Sequence, residues 1–187
     1  GSKLSRTADM FAGGWQLSGI FIGQSGPFMT PSQGGTSDPS GTGSGYYRTQ
    51  RPDRLASGVP SNQTIAAWVD RNAFVCAGQE SMSSKFSCSI GSGGSSPAPI
   101  GRFGNSGVGI LEGPGGATLS MGFGKYFQAT EKFRVGVQGT FTNILDRTNY
   151  DIPNLSISSS GFGAITKATV ADFGGNRTGQ IAVRLEF

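Results

Sequence analysis

The residues of this chain that could do chemistry are few and far apart. Histidine is absent, which removes the usual base of a nucleophilic triad and a common ligand of zinc and haem iron. Asp53, Asp70, Glu80 and Glu112 supply carboxylates, but general acid–base work needs two of them held at a fixed separation. Their spacing holds no such pair, so they read as solvated charges of one long loop. Gly41-Thr42-Gly43-Ser44-Gly45 has the glycine density of a phosphate cradle. It lacks the Gly-Lys-Ser/Thr ending and the strand-to-helix setting, and reads as loop. Cys76 and Cys88 stand twelve positions apart in a polar stretch. Such a pair can close a small loop worth roughly 2–3 kcal/mol, the reading being an extracytoplasmic disulfide with two free thiols as its alternative. A metal or redox centre would want a Cys-x-x-Cys or a partner histidine. No catalytic residue, cofactor site or metal site is expected, and the chain does not read as an enzyme.

Composition says what must carry any function instead. Of 187 residues only 14% are charged, while 32 are glycine and 9 are proline, a balance that suits strands joined by long loops rather than helices. The net charge is +4, yet the 15 Lys and Arg are scattered singly without a basic stripe, so nucleic acid is not an expected partner. No stretch reaches the roughly 20 apolar residues of a membrane helix, and the N-terminus lacks a signal-peptide pattern.

Four segments alternate apolar and polar side chains with period two, near 15–24, 118–127, 132–142 and 180–187. In the first, Trp15, Leu17, Gly19 and Phe21 share a side, but Ile20 and Ile22 make the other side apolar too, so its facing stays open. In the second, Leu119, Met121 and Phe123 alternate with Thr118, Ser120, Gly122 and Gly124. In the third, Phe133, Val135, Val137, Gly139 and Phe141 oppose Lys132, Arg134, Gly136, Gln138, Thr140 and Thr142. In the fourth, Ile181, Val183, Leu185 and Phe187 oppose Gln180, Ala182, Arg184 and Glu186. Successive strand side chains point to opposite faces, so each segment has one greasy and one wet side. The predicted fold is all-β: a single domain over 1–187 of antiparallel up-and-down strands, barrel-like or part of a barrel. A loop insert covers 25–117 and a second loop 146–178. Short turns at one end and long loops at the other are what transmembrane barrels show. The greasy side meets either lipid or a second sheet, and periodicity alone does not choose. Aromatics near strand ends (Trp15, Tyr126, Phe127, Phe141) and the Gln, Thr, Ser and Gly of the wet sides favour lipid.

Several motifs, in order, resemble the C-terminal barrel region of TonB-dependent outer-membrane receptors, in particular the carboxypeptidase-regulatory-like, Oar-like group common in Acidobacteria. They are 13–21 (Gly-Gly-Trp-Gln-Leu-Ser-Gly-Ile-Phe), Gln24-Ser25-Gly26-Pro27-Phe28, Arg51-Pro52-Asp53, the stretch 68–74, and Phe103-Gly104-Asn105-Ser106-Gly107. Then come Leu111-Glu112-Gly113-Pro114-Gly115, Thr130-Glu131-Lys132-Phe133-Arg134, Phe141-Thr142-Asn143-Ile144-Leu145, and 181–187. The resemblance implies strands running up, down, up and down, both chain ends on the periplasmic side, and the Cys76–Cys88 region outside the cell. It further implies that Phe187 is similar to the terminal aromatic read by the barrel-assembly machinery. The plug and TonB-contacting segment of such receptors have no counterpart in these residues, and four strands fall short of the roughly eight of the smallest barrels. Partner strands are therefore expected from other copies or other chains.

Three functions follow as expectations. The first is a barrel segment of a TonB-dependent transporter in the bacterial outer membrane, with lipid as a possible neighbour and an unknown substrate. The second is an extracellular structural subunit that self-assembles into a tube, ring or filament by strand pairing between copies. The third is a secreted carbohydrate-binding module stacking sugars on Trp68, Tyr46 and Tyr47. Arg134 and Arg184 on the wet side would favour anionic solutes in a channel, or simply pair with Glu186.

Overall fold

The computed structural model describes residues 12–33, 39–41, 50–79, 88, 101–128, 130, 132–169 and 175–187. Tyr46, Tyr47 and Glu80, together with the Gly-rich tract from 42, lie outside them. The chain divides into two compact units: a sheet unit (Gly1–Gln24, Gly115–Asn149, Ala168–Phe187) and a loop unit (Ser25–Pro114, Tyr150–Lys167).

The sheet unit is a four-stranded antiparallel sheet of β1 (Trp15–Gln24), β6 (Gly116–Gln128), β7 (Arg134–Thr142) and β8 (Thr178–Glu186), in the order β1-β6-β7-β8. Its register keeps the alternation of each strand in phase with its neighbours. Leu17 faces Phe123 and Phe21 faces Leu119 across β1 and β6. Met121 faces Phe141 and Phe127 faces Val135 across β6 and β7. Val135 faces Leu185, Val137 faces Val183 and Gly139 faces Ile181 across β7 and β8. A one-residue slip at any ladder would turn one strand's greasy side into the wet side. The β6–β7 hairpin closes with Thr130 and Phe133 exchanging backbone N–H···O bonds of 3.1 and 3.3 Å.

Two glycines on the greasy face, Gly139 and Gly179, are covered by rings rather than left bare. A Cβ on Gly139 would lie 2.6 Å from the Phe123 ring, and one on Gly179 the same distance from the Phe141 ring. The two phenyl rings stack on each other at 5.7 Å, so aromatic area fills what the missing side chains leave, as in aromatic rescue of strand glycines.

At the opposite end of the hairpin the strands are fastened by two buried asparagines. Asn149 accepts from Ala117 N–H (2.8 Å) and donates back to Ala117 O (3.1 Å), extending β6 by a side chain that mimics a strand partner. Asn143, in the left-handed region at φ 47°, donates to Arg147 O (2.9 Å) and Gly175 O (2.6 Å). Asparagine tolerates that backbone, and its amide satisfies buried carbonyls that water would otherwise need to reach.

The loop unit has short elements: β2 (Phe28–Met29) paired with β5 (Leu111–Glu112), and β3 (Asp53–Arg54) paired with β4 (Phe74–Val75), the latter preceded by a 3-10 turn at Arg71–Ala73. It holds every buried apolar residue among the described ones. Met29, Val69, Ala73, Phe74, Leu111, Ile157 and Phe162 pack together with Cys76 and Cys88, and Phe74 meets Phe162 edge-on at 5.9 Å. The segment 150–167 is sewn on by a parallel bridge, with Ser32 N–H to Leu155 O (2.8 Å) and Ile157 N–H to Ser32 O (2.9 Å). The Arg71 guanidinium adds bonds to the carbonyls of Ser159 (2.8 Å) and Ile157 (3.0 Å).

Candidate functional site

Two constructions stand out, one in each unit. In the sheet unit it is the pair of faces. The greasy one gathers Leu17, Phe21, Leu119, Met121, Phe123, Val135, Val137, Phe141, Ile181, Val183 and Leu185 on one side of a continuous register. No described residue of the unit covers it: Leu17 and Ile181 are each 73% exposed, and all of β1 is exposed. A sandwich half would bury these residues against a second sheet. Here the sheet has an apolar side and no core.

The register also places Trp15 opposite Lys125, and Phe127 opposite Val135, at the end of the sheet where β1 begins and β8 finishes. The Lys125 ammonium lies 4.7 Å from the Trp15 ring and 5.3 Å from the Phe127 ring, so the one lysine on this face is held by cation–π contacts. Its position, in phase with Leu119, Met121 and Phe123, follows from counting by two. The aromatic neighbours that make it tolerable come from another strand and from the next odd position.

The wet face carries Gln16, Ser18, Thr118, Ser120, Gln138, Thr140 and Gln180, with Gly122, Gly124 and Gly136 between them. Tyr126 lies over Gly136, where a Cβ would be 2.7 Å from the ring. Its charges collect at one end, where Glu186 pairs with Arg184 (3.2 Å) and with Arg134 (3.8 Å). Ile20 and Ile22 fall on this side in register with Ser120 and Thr118, and both are exposed. That settles the facing of β1, whose Trp15, Leu17 and Phe21 join the greasy side. A cleft of about 30 Å³ beside Asn143, Asp146 and Asn149 has room for about one water.

In the loop unit the construction is Asp53. The sequence reads it as a solvated loop charge; the structure buries it to 5% exposure. Arg102 Nη1 and Nη2 donate to its two oxygens at 2.8 and 2.7 Å, Gly78 N–H donates at 2.8 Å and Asn105 N–H at 2.8 Å. The guanidinium, outweighing the opposing cost of burial, and then the two amides pull its pKa from 3.8 down to about 2. Every lone-pair direction is in use, so this carboxylate is a joint and has no capacity left to act as a base.

Around it two of the motifs meet. Arg51 donates to Ser106 O (2.7 Å), Arg54 N–H donates to Asn105 Oδ1 (2.6 Å), and Gly104 packs so closely that a Cβ would sit 2.0 Å from Arg51 O. The Gly26-Pro27-Phe28 and Leu111–Gly113 motifs join in the same way, with Gly113 N–H donating to Pro27 O at 2.9 Å. The Trp68 indole N–H donates to Glu112 O (2.9 Å) and the ring packs against the core, so that side chain is engaged in holding the unit together. Asp70 caps the 3-10 turn by accepting from Asn72 N–H (2.9 Å). Cys76 and Cys88 are joined in a disulfide with Cα atoms 5.4 Å apart.

No cluster of His, Cys, Asp or Glu with metal-binding geometry occurs among the described residues. No helix among them is long and apolar enough to cross a membrane, which says nothing of strands that cross one.

Comparison with known proteins agrees with this architecture. The family described as outer membrane beta barrel domain matches residues 1–180. No curated protein and no solved structure matches the chain. With an all-antiparallel main sheet, an uncovered apolar face and a family match over nearly its whole length, the chain belongs to the outer membrane beta barrel domain family and is a protein of the outer membrane.

Proposed function

We propose that this chain forms part of the wall of a TonB-dependent transporter. In this reading the greasy face of β1, β6, β7 and β8 lies against lipid and the wet face lines the lumen. The loop unit stands outside the cell, and Phe187 acts as the assembly signal. The observation that carries it is the register-aligned apolar face, exposed on the outer strands β1 and β8, largely half-buried on β6 and β7, and bounded at one end by Trp15, Lys125 and Phe127. Exposed on this scale in water, such a face would be an association site; against acyl chains it is at its lowest free energy, with aromatic and lysine side chains at the headgroup level. The ordered motifs of the sequence supply the narrower assignment to receptors of this type.

Trp15 and Trp68 are the only tryptophans in the chain, which gives a clean test. In vesicles containing brominated phospholipid, the Trp68→Phe protein should show strong quenching of Trp15 emission. The Trp15→Phe protein should show little quenching of Trp68. Equal quenching, or a chain that stays monomeric in buffer without detergent, would remove the wall assignment. TonB dependence is tested separately: cells bearing the receptor should stop accumulating its solute when TonB is deleted.

A second reading rests on a specific observation. Among the described residues β1 pairs only with β6, and β8 only with β7, so both outer edges offer unpaired backbone groups to another strand. As a self-assembling subunit, the chain would form rings or filaments without detergent, visible by electron microscopy.

A further inference from the structure

The disulfide is largely closed off from solvent. Cys76 and Cys88 are each 5% exposed, inside the core built by Met29, Phe74 and Ile157. The turn after Cys76 then fastens three other parts of the loop unit. Ala77 N–H donates to Gln33 Oε1 (2.7 Å), Gly78 N–H to Asp53 Oδ2 (2.8 Å), and Asp53 in turn holds Arg102 and Asn105. Thiol–disulfide exchange requires an outside sulfur to come into line with one of these, which burial in the packed core hinders. The bond is therefore made while the unit is open.

Where that happens follows from the family and from the division of the chain. An outer-membrane protein passes through the periplasm, the compartment that a dedicated thiol oxidase keeps oxidising. Among the described residues the core of the loop unit comes from 25–114 and 150–167, so none of its buried members belongs to a strand of the sheet. The sheet, with both edges open among the described residues, needs partner strands to be completed. We propose that Cys76 and Cys88 are the substrate of a periplasmic dithiol oxidase, and that the loop unit closes around their bond before the strands enter the membrane.

The step balances without any other reactant. One chain thiolate attacks the oxidase disulfide, forming a mixed disulfide and releasing one oxidase thiolate. The second chain thiolate then attacks the chain sulfur of that mixed bond. Cys76–Cys88 closes and the oxidase departs as a dithiol, having taken up two electrons and two protons.

The test reads free thiols on the full chain made in a Gram-negative host. Samples are quenched in acid and labelled with a polyethylene glycol maleimide, which adds one gel shift per thiol; the Cys76→Ser, Cys88→Ser double variant marks the unshifted position. When barrel assembly is blocked so that the chain is held in the periplasm, it should already carry no tag. Two tags at that stage would overturn the proposed order. In a host lacking the thiol oxidase, newly made chain should carry two tags, and oxidation at the normal rate there would overturn the assignment of the partner. On the assembled protein, reductant should open the bond only after urea; equal rates with and without urea would show that the core does not shield it. None of these readouts depends on TonB, so a failure of the transport reading leaves them intact.

Discussion

Replacing Asp53 by asparagine is the sharpest probe of the loop unit. The carboxylate receives four N–H bonds of 2.7–2.8 Å while 5% exposed. Its pKa falls from 3.8 to about 2, which at about 1.4 kcal/mol per unit corresponds to roughly 2.5 kcal/mol. Half of the Arg102 side chain is in solvent (49% exposed), and that screening trims the figure to about 2 kcal/mol. The sign is fixed by the direction of the shift: a lowered folded-state pKa gives stability that is complete above pH 3.8 and is lost as the pH falls toward 2. The Asp53→Asn side chain would lack the charge and turn an N–H₂ toward donors, leaving buried donors without an acceptor, at a cost of about 3 kcal/mol at pH 7. Guanidinium unfolding in detergent, followed by Trp68 emission in a Trp15→Phe background, measures both effects. The wild-type protein should lose about 1.5 kcal/mol more than Asp53→Asn between pH 4 and pH 2. Parallel curves through that window, or equal stability at pH 7, would refute the account of Asp53 as the joint of the unit.

Three further outcomes are expected. Val183→Arg, on the greasy face of β8, should lower the folding free energy in lipid vesicles by about 2–4 kcal/mol, whereas Gln180→Arg on the wet face should change it little; urea titration of vesicle-inserted protein decides. Gly104→Ala places a Cβ 2.0 Å from Arg51 O and 2.5 Å from Pro52 O, and should cost the loop unit about 3 kcal/mol, read by the same guanidinium assay. Asn149→Ala removes both bonds to Ala117, worth about 2 kcal/mol, so hydrogen exchange at the Ala117 amide should accelerate about 30-fold.

The faces of β6, β7 and β8 were legible because they rest on a local rule. Leu119, Met121, Phe123, Val135, Val137, Ile181, Val183 and Leu185 each point the way that counting by two requires, and the register then aligns them. The facing of β1 was not legible, since Ile20 and Ile22 match Leu17 and Phe21 in hydropathy; only the pairing of Leu17 with Phe123 and of Ile20 with Ser120 decides it. Asp53 was misread as solvated because its partners carry no periodic signal. Only the juxtaposition of Arg51-Pro52-Asp53 with Phe103-Gly104-Asn105, two short motifs far apart in the chain, could have hinted at it.

By itself, then, the sequence determined strand periodicity, the greasy and wet sides, the tight β6–β7 turn and the scarcity of catalytic groups. Each is set by neighbouring residues and by composition. The tertiary structure decided which loop segments meet. The donors on Asp53 come from 25, 49 and 52 positions away, and β1 reaches β6 across the first, longer segment of the loop unit. Contacts at such separations are selected by packing and by the need to satisfy buried polar groups, which no local pattern of side chains encodes.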